Sequence, residues 1–203
     1  MELYGNFELE PRSDLYKYNI MRVVKWEAHN KVIKVAGKHL KNKNHENLDE
    51  ISFTDMGITR FPLQMGNIFP NLTILTMNGC ALQNLTKFDL KGMKNLKQLS
   101  FNGNQITSLS DGLFDETPNL EFISFYGNKV QFIGLNIFDK LPNLRYANFK
   151  MNTNIDACYK IVGKGVSLEY LKAIIRVDCQ RSSFEDIENY FHELKIAYDR
   201  GMK

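Results

Sequence analysis

The hydrophobic positions of this chain follow a rhythm that belongs to neither a simple helix nor a simple strand. In the segment LKQLSFNGNQITSL, residues 96–109, the apolar residues Leu96, Leu99, Phe101, Ile106 and Leu109 fall at spacings of 3, 2, 5 and 3. A helical face would repeat at three or four throughout, and a half-exposed strand would alternate strictly. The mixed spacing predicts a short strand in which Leu99 and Phe101 point inward. A bend follows at Asn104, and Ile106 and Leu109 continue the same interior beyond it.

The pattern recurs at a fixed interval. Leu48, Leu72, Leu96, Leu120 and Leu144 are each 24 residues apart and open segments of the form L-x-x-L-x-L-x-x-N-x-L with conservative replacements. The fourth position reads Ile51, Leu75, Leu99, Ile123 and Ala147, and the sixth reads Phe53, Met77, Phe101, Phe125 and Phe149. An Asn precedes every opening Leu, at Asn47, Asn71, Asn95, Asn119 and Asn143. On these residues the chain resembles the leucine-rich repeat family, whose period lies between 20 and 29 residues.

That resemblance implies an α/β solenoid, a horseshoe with a parallel β-sheet on its concave face. Its parts are an N-terminal cap and lead-in over 1–47, five 24-residue repeats over 48–155, and a C-terminal cap with a helix over 156–203. The chain would return along the convex side through residues such as Phe114 and Phe138. No unit buries its apolar face alone, so stability has to come from stacking.

The ninth position carries Asn104, Asn128 and Asn152, where leucine-rich repeats turn the amide inward to satisfy backbone groups of a buried turn. Met56 and Cys80 replace Asn in the first two copies. Cys80 therefore reads as a buried, inert thiol. Gly79, Gly103 and Gly127 recur at the eighth position and belong to repeat geometry, not to a nucleotide loop.

Composition narrows the classes. With 203 residues, 43% apolar and 24% charged, the chain suits one modest domain, and a net charge of +3 gives no general affinity for nucleic acid. The basic stretch GKHLKNKNH, residues 37–45, reads as a solvated loop. No apolar run reaches the length of a membrane span. The segment ELYGNFELEPRSDLYKY after Met1 lacks the order of a secretory signal, which taken alone favours the cytosol.

Neither metal nor catalytic spacing is visible: His29, His39, His45 and His192 lie outside the repeats, and no nucleophile, metal or phosphate motif occurs. No cofactor is expected and the chain reads as a non-enzyme; a Cys80–His39 pair is the one nucleophilic arrangement to weigh against that.

The segment KVIKVAGKHLKNKNHENLDEISF, the later FPNL and the cysteines near the C-terminus resemble a group of secreted leucine-rich repeat proteins of flies, midges and mosquitoes. In that group a strand and a Gly-x-His turn, here Gly37 and His39, precede the first repeat, and cysteines bracket an upstream Trp. Trp26 is present, but no cysteine precedes Cys80. The resemblance implies a disulfide between Cys158 and Cys179 sealing the end of the array. Such a bridge would close a loop of about 20 residues and contribute about 3 kcal/mol. The alternative is a pair of reduced core cysteines. Sequons at Asn71 and Asn84 are compatible with glycosylation and export, although each encloses a Leu that the repeat buries.

Strand positions between the inward residues face outward. In the last two repeats these include Phe122, Tyr126 and Tyr146, with Arg145 and Lys150 beside them, a composition suited to binding a protein. Five strands about 4.8 Å apart offer a few hundred square ångströms, below the roughly 800 Å² per partner of a standard interface. Rims, caps or self-association would have to complete it. The tail SSFEDIENYFHELKIAYDR predicts a helix opened by a Ser182–Glu185 capping box, with Ile187, Phe191, Leu194 and Tyr198 on one face.

The reading is a recognition module that binds a protein partner, extracellular in preference to cytoplasmic, for which the insect resemblance implies host defence or developmental signalling. The alternative is an intracellular scaffold or regulatory subunit with reduced cysteines.

Overall fold

A computed structural model of the chain describes residues 1–11, 13, 15–24, 32, 34–155, 158–160, 172 and 175. Their main feature is a nine-stranded, mostly parallel sheet. Strands β4 (Glu50–Thr54), β5 (Ile74–Asn78), β6 (Gln98–Ser100), β8 (Phe122–Ser124) and β10 (Tyr146–Asn148) lie side by side. Each pairs with the next in parallel, so that Ile51, Leu75, Leu99, Ile123 and Ala147 stand in one register. The sequence interval of 24 residues is thus the spacing from strand to strand.

Alternation along these strands puts the fourth and sixth positions on the interior face. All ten residues there are buried, and the five opening leucines join them in one hydrophobic cluster. At the sixth position Phe101, Phe125 and Phe149 form a file with ring centroids 5.7 and 5.9 Å apart. Phe114 and Phe138 approach from the return side and stack at 6.3 Å, within contact of Phe125 and Phe149 respectively. Such offset aromatic contacts add cohesion beyond the area they bury.

The helical part of the expected α/β solenoid is slight. Within residues 34–155 the α-helix is α1 (Met65–Ile68), accompanied by a 3-10 turn at His45–Asn47, and the described Lys172 and Ile175 are also helical. The remaining return segments are turns, with a two-stranded parallel sheet of β7 (Ser108–Leu109) and β9 (Phe132–Ile133). In a 24-residue interval the strand and its two bends leave little chain for a stable helix, and bulky Phe side chains fill the space instead.

The sheet extends beyond the 24-residue pattern at both sides. β1 (Glu2–Leu9) and β2 (Tyr16–Val24) form an antiparallel hairpin, β3 (Lys34–Ala36) lies parallel to β1, and β2 lies parallel to β4. Tyr18 and Ile20 stand in register with Ile51 and Phe53, so the hairpin shares the interior of the strands that follow. At the other side β11 (Cys158–Lys160) pairs antiparallel with β10 and covers its edge. Open strand edges invite unwanted pairing, and both additions move the edge away from the regular strands.

The bend after each strand has its own conformation. The eighth position is left-handed in all five copies, with φ of 53° at Asp55, 66° at Gly79, 64° at Gly103, 66° at Gly127 and 60° at Met151. This explains the recurrent Gly, the residue that adopts such angles without steric cost. Backbone N–H groups of the first four of these reach the carbonyls of Asn78, Asn102, Tyr126 and Lys150, each in the next bend.

Candidate binding face of the sheet

Side chains at the third, fifth and seventh positions lie on the face of the sheet opposite the core. Their first task is structural. The Asn78 carbonyl oxygen accepts from the Ser100 hydroxyl at 3.0 Å and from the Asn102 backbone N–H at 2.9 Å. Asn102 repeats the arrangement one strand later, accepting from Ser124 at 2.7 Å and from the Tyr126 backbone at 3.0 Å. Asn102 also donates to Ser100 at 3.0 Å. The middle of this face is therefore a bonded polar strip that fixes neighbouring strands.

The aromatic positions flank that strip. Phe122 and Tyr146 are direct partners in the β8–β10 register and stack with centroids 4.4 Å apart and planes 3° from parallel. Both are half-buried. Tyr126, four residues beyond Phe122, is 44% exposed. Arg145 and Lys150 bracket β10 from opposite ends and are exposed. Arg145 reaches the carboxylate of Glu121 at 3.8 Å with its side chain 73% exposed, a contact too solvated to hold it. The five anticipated residues thus form two groups: Phe122, Tyr146 and Arg145 at the strand entry, Tyr126 and Lys150 at the exit. Four residues of strand separate Phe122 from Tyr126 by about 13 Å.

The N-terminal part of the same face has a different character. Lys17 bridges Glu10 at 2.6 Å and Glu50 at 3.0 Å, and the hydrogen bond it donates to Glu10 is the main influence raising its pKa. Asn19 donates to Glu8 alongside. Charges there are paired within the chain, whereas Lys150 forms no ion pair among the described residues.

The remaining anticipated residues are placed as follows. Asn71 is exposed, donates to the Glu46 carbonyl at 2.9 Å and precedes the buried Leu72. Asn84 is exposed and precedes the buried Leu85, and the Thr86 backbone and hydroxyl both donate to Asp89, at 2.6 and 2.9 Å. Cys80 is buried and free, its thiol facing the Asn78 carbonyl at 3.4 Å, and burial pushes its pKa up. His39 is engaged by Tyr16 at 2.8 Å. The Cys158–Cys179 bridge, Trp26 and the helix expected from Ser182 onward lie outside the described residues or side chains.

The sequence showed one further column whose role only the structure supplies. The Asn before each opening Leu ties successive returns together: Asn71 bonds the Glu46 carbonyl, Asn95 the Pro70 carbonyl and Asn119 the Lys94 carbonyl, at 2.9, 3.3 and 2.9 Å. Each bond spans 25 residues, so the invariance of that Asn had a geometric cause.

Among the described residues no group of three His, Cys, Asp or Glu side chains could hold a metal ion, and no helix is long and apolar enough to cross a membrane. Among curated proteins none matches the sequence. A chain in the solved Toll–Spatzle complex, described as a molecular hub in Drosophila development and innate immunity, is similar at 14% identity with a TM-score of 0.31. The likeness covers 60% of this chain and 26% of that one, so this chain spans about a quarter of its length. A family model described as leucine rich repeat matches residues 70–130. That stretch, under half of the chain, contains β5, β6 and β8 with their shared register, so the part similar to leucine-rich repeats is one built of parallel strands in step.

Proposed function

We propose that this chain is a non-enzymatic recognition module that binds a protein partner through the C-terminal half of the open sheet face, acting outside the cell. The observation that carries the reading is the Phe122–Tyr146 stack, with exposed Tyr126 and the cations Arg145 and Lys150 on the same two strands. Aromatic rings and Arg on a rigid support are the groups that dominate protein interfaces. The asparagine–serine strip supplies the rigidity, since it locks the strands before any partner arrives and little ordering cost remains for binding. Repeat solenoids present such extended surfaces by construction.

The face is small for a complete interface, so the partner also touches the rim at Lys150 or a second copy of this chain joins the complex. The Cys158–Cys179 bridge and sugar at Asn71 and Asn84 belong to the same extracellular reading.

Two measurements test it. Binding partners from the source organism's extracellular fluid are captured on the intact chain and on a Tyr126→Ala/Lys150→Glu variant; the reading expects at least a tenfold loss of capture with an unchanged unfolding midpoint. Undiminished capture by the variant contradicts the proposed face. Thiol titration of the denatured, unreduced natural protein then separates locations: one free thiol supports export, and three support the intracellular alternative.

A further inference from the structure

The N-terminal hairpin joins the regular strands through a cluster of rings that the proposed binding face does not use. Phe7 stacks on Tyr18 at 4.2 Å and on the His39 ring at 3.9 Å. His39 meets His45 at 4.6 Å, and His45 meets Phe69 edge-on at 5.4 Å. The stack thus runs from β1 and β2, through the loop before β4, to Phe69 on the first return segment. Two imidazoles are its middle links.

The hydrogen bonds around Tyr16 are completed by a neutral His39. The Tyr16 oxygen accepts the Leu40 backbone N–H at 3.2 Å and lies 2.8 Å from His39 Nδ1. With Nδ1 unprotonated, the Tyr16 hydroxyl donates its own proton to that nitrogen while its oxygen accepts from Leu40, and every one of these groups has a partner. A second proton on His39 would turn this bond around, with Nδ1 donating to the phenol oxygen, and the phenol hydrogen would lose its acceptor.

The described charges around the two rings are mostly cationic. Lys38, Lys41 and Lys43 lie on the same loop, with Lys43 over the Tyr16 ring at 5.5 Å. Asp49 is occupied by the Tyr16 backbone N–H at 2.8 Å, and Lys17 is held by Glu10 and Glu50. Glu46 follows His45 in the chain, but among the described residues no carboxylate forms an ion pair with either imidazole. Two cations 4.6 Å apart beside three lysines would repel.

We infer that the hairpin is an acid-released closure of the sheet: protonation of His39 and His45 breaks the β2–β4 pairing while β4 to β10 stay folded. The pairing at risk is the register Lys17–Ile20 against Glu50–Phe53, which the ring cluster supports from the core side. The first regular strand would then present an open edge.

Burial lowers the pKa of both histidines from 6.5, and for His39 the neighbouring His45 adds to the effect. A lowered His pKa means that the unfolded or opened segment binds protons more readily than the closed one. The closure is fully stable above about pH 6.5 and loses stability as pH falls from there through the closed-state values.

Hydrogen exchange of the full chain, corrected for the pH dependence of intrinsic exchange, tests this at about pH 7.5 and pH 5. The expected result is at least about tenfold faster exchange in peptides from residues 1–24 at the lower pH, with those from 74–148 unchanged. A His39→Gln/His45→Phe chain keeps an acceptor for Tyr16 and a ring against Phe69, and should lose the pH difference. Equal protection at both pH values, or loss spread evenly over both regions, would overturn the inference. Should that variant not fold, NMR titration of the wild-type imidazoles decides: values clearly below 6.5 support it, and values at or above 6.5 refute it.

Discussion

Asn104 holds its side-chain carbonyl 3.1 Å from the backbone nitrogen of Cys80, a residue 24 positions earlier and one strand away. The same amide accepts from Leu82 at 3.0 Å and donates to the carbonyls of Met77 and Phe101 at 2.7 and 2.8 Å. Asn128 and Asn152 repeat the arrangement across the next two intervals. One buried side chain therefore satisfies backbone groups on two successive bends, which water cannot reach.

Removing it leaves several buried groups unpaired. Asn104→Ala is expected to destabilise the chain by about 3–5 kcal/mol, because each orphaned buried group costs about 1–3 kcal/mol and some will relax toward solvent. Asn119→Ala, which deletes one exposed bond to the Lys94 carbonyl, should cost about 1 kcal/mol or less. Urea unfolding followed by circular dichroism measures both, and similar losses would mean that the ninth-position Asn acts as no more than a surface bond.

The left-handed bends give a second comparison. Gly79 and Gly103 share nearly the same φ, 66° and 64°. A methyl group at Gly103 meets nothing nearer than the Gly79 nitrogen at 3.6 Å, whereas one at Gly79 collides with the Asp55 carboxylate. Gly103→Ala should therefore cost about 1–2 kcal/mol from backbone strain alone, and Gly79→Ala measurably more. In the double variant with Asp55→Gly the excess at Gly79 should disappear, and a thermal denaturation series reads this directly.

Asp89 makes a prediction of unusual sign. Burial raises its pKa above 3.8, against the opposing effect of its two bonds from Thr86. A carboxylate with a raised folded pKa contributes most below about pH 3.8 and loses that contribution as pH rises through the folded value, so at neutral pH its charge is a cost. Asp89→Asn keeps an acceptor for Thr86 and should hold or raise the unfolding midpoint at pH 7. Asp89→Ala, which loses the acceptor, should lower stability by about 1 kcal/mol.

On the proposed binding face, exposure separates the aromatics. Tyr126, 44% exposed, should be replaceable by Ala with less than about 0.5 kcal/mol of stability lost but a clear loss of partner affinity. Phe122→Ala also breaks the stack with Tyr146 and should cost about 1–2 kcal/mol in addition. Calorimetry of both variants with the captured partner distinguishes a contact from a packing residue.

Much of this was legible in the sequence because a stacked array repeats the same demand at each turn. The interior positions followed from the 24-residue interval, and the inward turn of the ninth-position Asn from the resemblance to leucine-rich repeats; the interval also placed Phe122 beside Tyr146, while Tyr126 stands apart from that pair. The β1–β2 hairpin did not: Phe7, Tyr16, Tyr18 and Ile20 alternate as strand residues do, but only their register with Ile51 and Phe53 makes them part of this sheet. The bonding of Asn78, Ser100, Asn102 and Ser124 into one strip was not legible, since pairing across strands is invisible until the strands are side by side. How the chain returns between strands was not legible: Phe114 and Phe138 are buried there in turns, without a helix.

The stacking of successive intervals is tested most directly by through-hydrogen-bond NMR couplings in the full chain. The account predicts couplings from the Gly79, Gly103 and Gly127 amides to the carbonyls of Asn102, Tyr126 and Lys150, where donor and acceptor lie 2.9, 2.8 and 2.9 Å apart. Couplings to carbonyls displaced along the partner strand, or amides that exchange freely with water, would contradict it.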